Sequence, residues 1–233
     1  MTPAAIATAI AAIESNAQPA VVRFDSGPPF GGRVALLSSA FNPPTFAHLA
    51  LLEVGARHDL PAALLSTKNV DKGLYGANLV HRVGMLLATS GAAPTPFAVL
   101  ATNAARFVDQ ARAVRSAYPG VPFDFVVGFD TLVRIFDPRY YDDMGGDLDE
   151  LFAHHRVIAT NRAEASTDEV ERYLATRPAR AYRDAVTVEA LADGHAVLSS
   201  SAARAEIEAD GVTDVVPKAV ADYIREHGLY RPD

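Results

Sequence analysis

The sequence predicts an α/β protein built as a doubly wound parallel sheet with helices on both faces. Three observations carry this. Short apolar runs of strand length recur at 34–37, 62–65, 97–100, 123–127, 157–159 and 186–188. Stretches with apolar residues at helical spacing lie at 46–57, 79–88, 104–116, 168–175, 202–209 and 218–227. The two kinds alternate, which implies βαβ units joined by right-handed crossovers, a Rossmann-like arrangement.

Taken in order, residues 2–13 are rich in Ala and Ile but lack a basic flank, so they read as a helix and not as a signal peptide. Residues 20–24 read as an edge segment, closed by the breaker run Gly27-Pro28-Pro29-Phe30-Gly31-Gly32. Residues 1–32 are therefore expected to form an N-terminal helix and edge extension, and 33–233 the main domain. Residues 137–149, with Pro138, Gly145, Gly146 and several acidic side chains, read as a surface loop or lid.

Composition narrows the function. No apolar stretch approaches the roughly 20 residues that span a bilayer. The chain has no cysteine, which removes disulfides and thiolate metal sites and fits a cytoplasmic location. A net charge of −7 argues against broad nucleic-acid binding. An anionic ligand would need a local cluster of cations and backbone amides.

Two strand-to-helix junctions offer such a cluster. The first is Ser38-Ser39-Ala40-Phe41-Asn42-Pro43-Pro44-Thr45-Phe46-Ala47-His48. Its prolines stop the strand and preset the helix start, and Thr45 and His48 fall three residues apart on one face of the first turn. In an open α/β sheet such a junction presents free N–H groups to a phosphate. The same residues serve equally well as a helix cap with a surface histidine. The second is Leu198-Ser199-Ser200-Ser201-Ala202-Ala203-Arg204, where a serine cluster opens a helix and Arg204 lies one turn in. Plain capping is the commoner use of such serines, although an arginine can fork two phosphate oxygens. Between the two, Gly128-Phe129-Asp130 ends a strand and begins another helix, with Asp130 either a cap or a ribose ligand. No Gly-x-Gly-x-x-Gly follows a strand, which disfavours a dehydrogenase, and His154-His155 lacks a third metal ligand nearby.

Together these strings resemble the nucleotidyltransferase superfamily of adenylyl- and cytidylyltransferases. Within it the chain looks most like the nicotinamide/nicotinate mononucleotide adenylyltransferases, some of which carry Thr in place of the first His of His-x-Gly-His. Further segments extend the resemblance from about Arg33 to Tyr230. They are Asp71-Lys72-Gly73-Leu74, His81-Arg82-Val83 with Met85, Gly128-Phe129-Asp130 with Leu132 and Phe136, Ile158-Ala159-Thr160-Asn161-Arg162, and the closing helix from Val216 to Tyr230.

The resemblance implies transfer of AMP from ATP to a pyridine mononucleotide. It implies catalytic roles for His48, Thr45 and Arg204. ATP would be held by Ser39, Ala40, Phe41, Gly128, Asp130, Ser199, Ser200 and Ser201, and the acceptor by Asn42, Lys72 and Arg162. Mg²⁺ would arrive on the ATP phosphates, so no protein metal site is expected. His81 and Arg82 read equally as structural helix residues. Neither nucleic acid nor membrane is an expected partner, and a homo-oligomer stays open.

Departures weaken the acceptor assignment most. Ser39-Ala40 replaces Gly-Ser or Gly-Gly, Ala47 replaces a Gly, and Ser201 and Ala203 replace Thr and Ile. Residues 102–112 lack the acceptor pattern, and no Trp is available to stack on the base, leaving Phe107, Tyr140 or Tyr141. The alternatives are transfer to another phosphorylated acceptor, or a non-catalytic nucleotide-binding relative.

Overall fold

The computed structural model describes residues 1–68, 76–161, 165–191, 198–211 and 213–231. Among them, seven strands form one sheet: β1 (Val21–Arg23), β2 (Val34–Ser39), β3 (Leu60–Ser66), β4 (Ala98–Thr102), β5 (Phe123–Gly128), β6 (Arg156–Thr160) and β7 (Val186–Glu189). Their order is β1-β4-β3-β2-β5-β6-β7. β2 to β7 run parallel, whereas β1 pairs antiparallel with β4 at the edge. Every strand read from the sequence is present, lengthened by a residue or two in most cases.

Side chains alternate between the faces, as the two-residue period of a strand requires. Ala35 and Leu37 of β2 join one core with α1 (Pro3–Glu14), α2 (Phe46–Ala56) and α3 (Leu79–Ala92). Val34 and Leu36 join the other with α4 (Phe107–Ala117), α5 (Phe129–Ile135), α6 (Met144–His154) and α7 (Thr167–Leu174). Burial on both faces explains why these strands read as unbroken apolar runs. A third cluster docks α8 (Ser200–Asp210) and α9 (Lys218–His227) on α3, through Met85, Ala203, Ile207, Val220 and Ile224.

Residues 137–149 correct the sequence reading. Only a short 3-10 turn (Pro138–Tyr140) and the residues around it are irregular, and α6 begins at Met144. Gly145 and Gly146 sit in the first turn, where Asp143 caps the helix by accepting from the Gly146 N–H at 3.1 Å. The acidic residues are tied down by α4: Arg112 pairs with Asp147 and Glu150 at 2.6 Å, and Arg115 with Glu150 at 2.6 Å. Helix α4 itself starts at Phe107 and not at 104. Ala104 is held in the preceding loop by Thr102, Ser66 and Gln110, whose side chains bond its N–H and carbonyl.

Strand order reverses between β2 and β5, so a crevice opens beyond their carboxyl ends, the place where open α/β sheets bind ligands. Helix α2 lies close over these two strands. A Cβ added at Gly55 would fall 2.9 Å from the Ala35 Cβ and 3.1 Å from the Val126 Cγ2. Gly55→Val should therefore destabilise the protein by about 2 kcal/mol or more through overpacking. Urea denaturation checks this: the midpoint falls with an unchanged slope.

Candidate active site

β2 ends at Ser39, and the chain turns through Ala40, Phe41 and Asn42 before α2 begins. Phe41 is fully buried and sits at φ +44°, a region that bulky residues rarely occupy. Its ring packs on the His48 imidazole with centroids 5.0 Å apart. Strain of this kind collects where a loop must hold one geometry.

Thr45 caps α2, and His48 occupies the position where a capping-box glutamate would sit. The Thr45 N–H donates to His48 Nδ1 at 3.0 Å, and the Thr45 Oγ1 lies 2.9 Å from the same nitrogen. An amide N–H can only donate, so Nδ1 is the acceptor and the neutral ring carries its proton on Nε2. Nε2 lies 3.0 Å from the Ser39 Oγ at the end of β2. His48 is 4% exposed and Thr45 is fully buried, so the ring is fixed in place.

The turn's carbonyls are taken up by side chains of α3 and α8. Arg82 on α3 donates from Nη1 to the Ala40 oxygen at 3.4 Å and from Nε to the Ala77 oxygen at 2.7 Å. Arg204 on α8 donates to the Asn42 oxygen at 2.5 Å and to the Ser201 Oγ at 3.1 Å. The Ser200 hydroxyl donates to the Pro43 oxygen at 2.8 Å. The Asn42 side-chain oxygen accepts from the Ala77 N–H at 3.2 Å and from the Tyr230 hydroxyl at 2.8 Å. Gly76 adjoins this contact at φ +74°, and a Cβ there would meet both Asn42 amide atoms at 2.8 Å. Burial raises the Tyr230 phenol well above its usual range, with Arg82 and Arg204 pulling the other way.

The start of α8 therefore lies against the β2 turn. Ser199 caps it by accepting from the Ala202 N–H at 3.1 Å. The Ser200 and Ser201 N–H groups have no acceptor among the described residues. The structure thus brings Ser39, Ala40, Phe41, Asn42, Thr45, His48, Ser199, Ser200, Ser201 and Arg204 together around the β2 turn. Gly128 ends β5, the neighbour of β2, and precedes Asp130 in the first turn of α5. Lys72 and Arg162 lie outside the described residues. Of the aromatic candidates, Phe107 packs on Phe125 at 4.7 Å and Tyr141 bonds the Ile135 carbonyl, and both are partly buried against the core. Tyr140 is left as the half-buried ring on the 3-10 turn.

Sequence reasoning passed over Arg82 and Tyr230. A signal for Arg82 was present: it falls on the stripe Leu79, Val83, Leu86 of α3 and is 4% exposed. A charge on an apolar stripe needs a buried partner. Among the described residues no three His, Asp or Glu side chains come together as a metal cage, and no helix is long and apolar enough to cross a membrane.

No family model matches the chain. It is 30% identical over 146 residues to a Schizosaccharomyces pombe protein assigned as a nicotinamide mononucleotide adenylyltransferase, covering 60% of this chain and 59% of that one. It is 26% identical over 208 residues to a Gemmatimonas aurantiaca protein assigned as a nicotinate-nucleotide adenylyltransferase, covering 85% of this chain and 92% of the relative. In fold it resembles the Plasmodium falciparum nicotinic acid mononucleotide adenylyltransferase solved with NaAD, with TM-score 0.65 and 15% identity over 85% of this chain and 97% of that chain. A Vibrio parahaemolyticus protein assigned as a nicotinate-nucleotide adenylyltransferase has TM-score 0.53 and 17% identity over 87% and 97%.

The hydrogen bonds at His48 fix a testable tautomer. Long-range ¹⁵N–¹H spectra of the neutral ring should show a bare Nδ1 and a protonated Nε2. The opposite pattern would break the Thr45 contact.

Proposed function

We propose that this chain is a member of the nicotinamide/nicotinate mononucleotide adenylyltransferase family, as its likeness to the two adenylyltransferase relatives supports, and that it transfers AMP from ATP to the phosphate of nicotinamide or nicotinate mononucleotide. An oxygen of the mononucleotide phosphate attacks the α-phosphorus of ATP. The bond from that phosphorus to the bridging oxygen breaks, and pyrophosphate leaves. The acceptor phosphate is already ionised at neutral pH, so no general base is required.

The observation that carries the reading is the buried His48, whose Nε2–H is aimed at the end of β2 beside the start of α8. In such a reaction the protein's work is positioning and charge stabilisation. His48, oriented by Thr45, donates to the α-phosphate as charge builds there. Arg204 and the Ser199, Ser200 and Ser201 groups hold the β- and γ-phosphates, and hence the leaving group. Ser39, Ala40 and Phe41 line the ATP side of the turn, and Gly128 and Asp130 the nucleoside side. Asn42, Lys72 and Arg162 are assigned to the acceptor. Mg²⁺ would be brought in on the triphosphate, held there by phosphate oxygens. Bound there, Mg²⁺ neutralises phosphate charge.

The test is incubation with Mg-ATP and either mononucleotide, following pyrophosphate and dinucleotide. Product from one or both identifies the acceptor. ATP binding without product would favour another phosphorylated acceptor or a non-catalytic role. His48→Ala should lower turnover roughly a hundred- to thousandfold with the fold intact, though Tm falls with the lost buried contacts; loss of the fold instead would assign the histidine a structural role. Arg204→Ala should raise the KM for ATP, and unchanged kinetics would remove it from the site.

A further inference from the structure

Arg82 is a buried cation that the proposed chemistry does not use. It sits on α3, 4% exposed, and bonds two backbone oxygens, Ala77 at 2.7 Å and Ala40 at 3.4 Å. The second bond reaches the turn at the end of β2. The peptide joining Ala40 to Phe41 is trans and planar, so the Ala40 oxygen and the Phe41 N–H point in opposite directions. Drawing the oxygen back toward α3 turns the Phe41 N–H away from α3. Phe41 is wholly buried, and its N–H finds no acceptor among the described residues. A buried backbone donor without a partner calls for one.

We infer that Arg82 is a positioning residue for ATP: by holding the Ala40 carbonyl it aims the Phe41 N–H at a phosphate oxygen. The inference rests on the adenylyltransferase reading, and Arg82 itself touches no substrate. Arg204 grips the Asn42 carbonyl on the other side of Phe41, so two guanidiniums fix the peptides flanking a residue at φ +44°. The planar fork of an arginine can serve two carbonyls at once, whereas the single ammonium of a lysine holds that geometry less well.

The experiment measures Mg-ATP binding by calorimetry for the wild-type chain, Arg82→Lys and Arg82→Gln, with Tm for each. The Phe41 amide is followed in ¹⁵N-labelled protein. Mg-ATP should shift the wild-type Phe41 amide resonance. Arg82→Gln should bind Mg-ATP roughly tenfold more weakly and lose that shift, with Arg82→Lys between the two. The KM for the acceptor should stay within about twofold in both variants. A purely structural arginine would lower Tm and leave ATP affinity and the Phe41 shift intact, which overturns the inference. If Arg82→Gln does not fold, the wild-type titration and Arg82→Lys decide: a Phe41 amide indifferent to Mg-ATP, or a lysine variant of unchanged affinity, is equally fatal. A wild-type chain that binds no Mg-ATP would instead overturn the function, and the inference with it.

Discussion

The candidate site depends on where the backbone oxygens of Ala40, Asn42 and Pro43 point. A carbonyl facing the crevice would repel an anion and leave its amide partner facing inward. Here all three oxygens are engaged by protein donors, Arg82, Arg204 and the Ser200 hydroxyl. Those donors come from α3 and α8, far from the turn in sequence. This gives the third apolar cluster a purpose beyond stability. Packing Met85, Ala203, Ile207, Val220 and Ile224 together holds α8 and α9 against α3. The same docking delivers Arg204, Ser200 and the Tyr230 hydroxyl to the turn.

The imidazole depends on a second constraint, the short distance between α2 and the sheet. Gly55, in the last turn of α2, lets the helix settle on Ala35 and Val126. His48 then meets Ser39 across the turn and Thr45 on its own helix. Because the ring is buried, its contacts act in a medium of lower effective dielectric than water. A donor fixed there stabilises developing charge without having to reorient.

The fold was legible because its signals are local. Apolar runs buried on both faces are written into neighbouring residues. The segment around α6 was misread because Gly145 and Gly146 look like breakers. At the start of a helix their cost is small, and the acidic residues that suggested a solvated loop are partners for Arg112 and Arg115. In the site, Thr45 with His48 and Ser201 with Arg204 could be read as neighbours because each pair is three residues apart. Arg82 acting on Ala40 and Tyr230 acting on Asn42 could not, since separations of 42 and 188 residues leave no spacing to read. Only the burial pattern of α3, with an arginine on its apolar stripe, hinted at one of them.

Charge sets how such a site can work. The chain carries a net charge of −7, so its distant field does not draw in a triphosphate. Along α4 and α6 the arginines are matched by carboxylates, and Arg106, Arg112 and Arg115 are spent on Asp109, Asp142, Asp147 and Glu150. Screening over about 8–10 Å further limits what remote charges contribute. Recognition of an anion is therefore left to groups in contact with it or directly behind the turn. Amide donors and a neutral imidazole bring no mobile counter-charge, so they select by shape and direction. In the proposed reaction, with Arg82 and Arg204 gripping the turn's carbonyls, affinity for ATP would follow from how accurately those few donors are aimed.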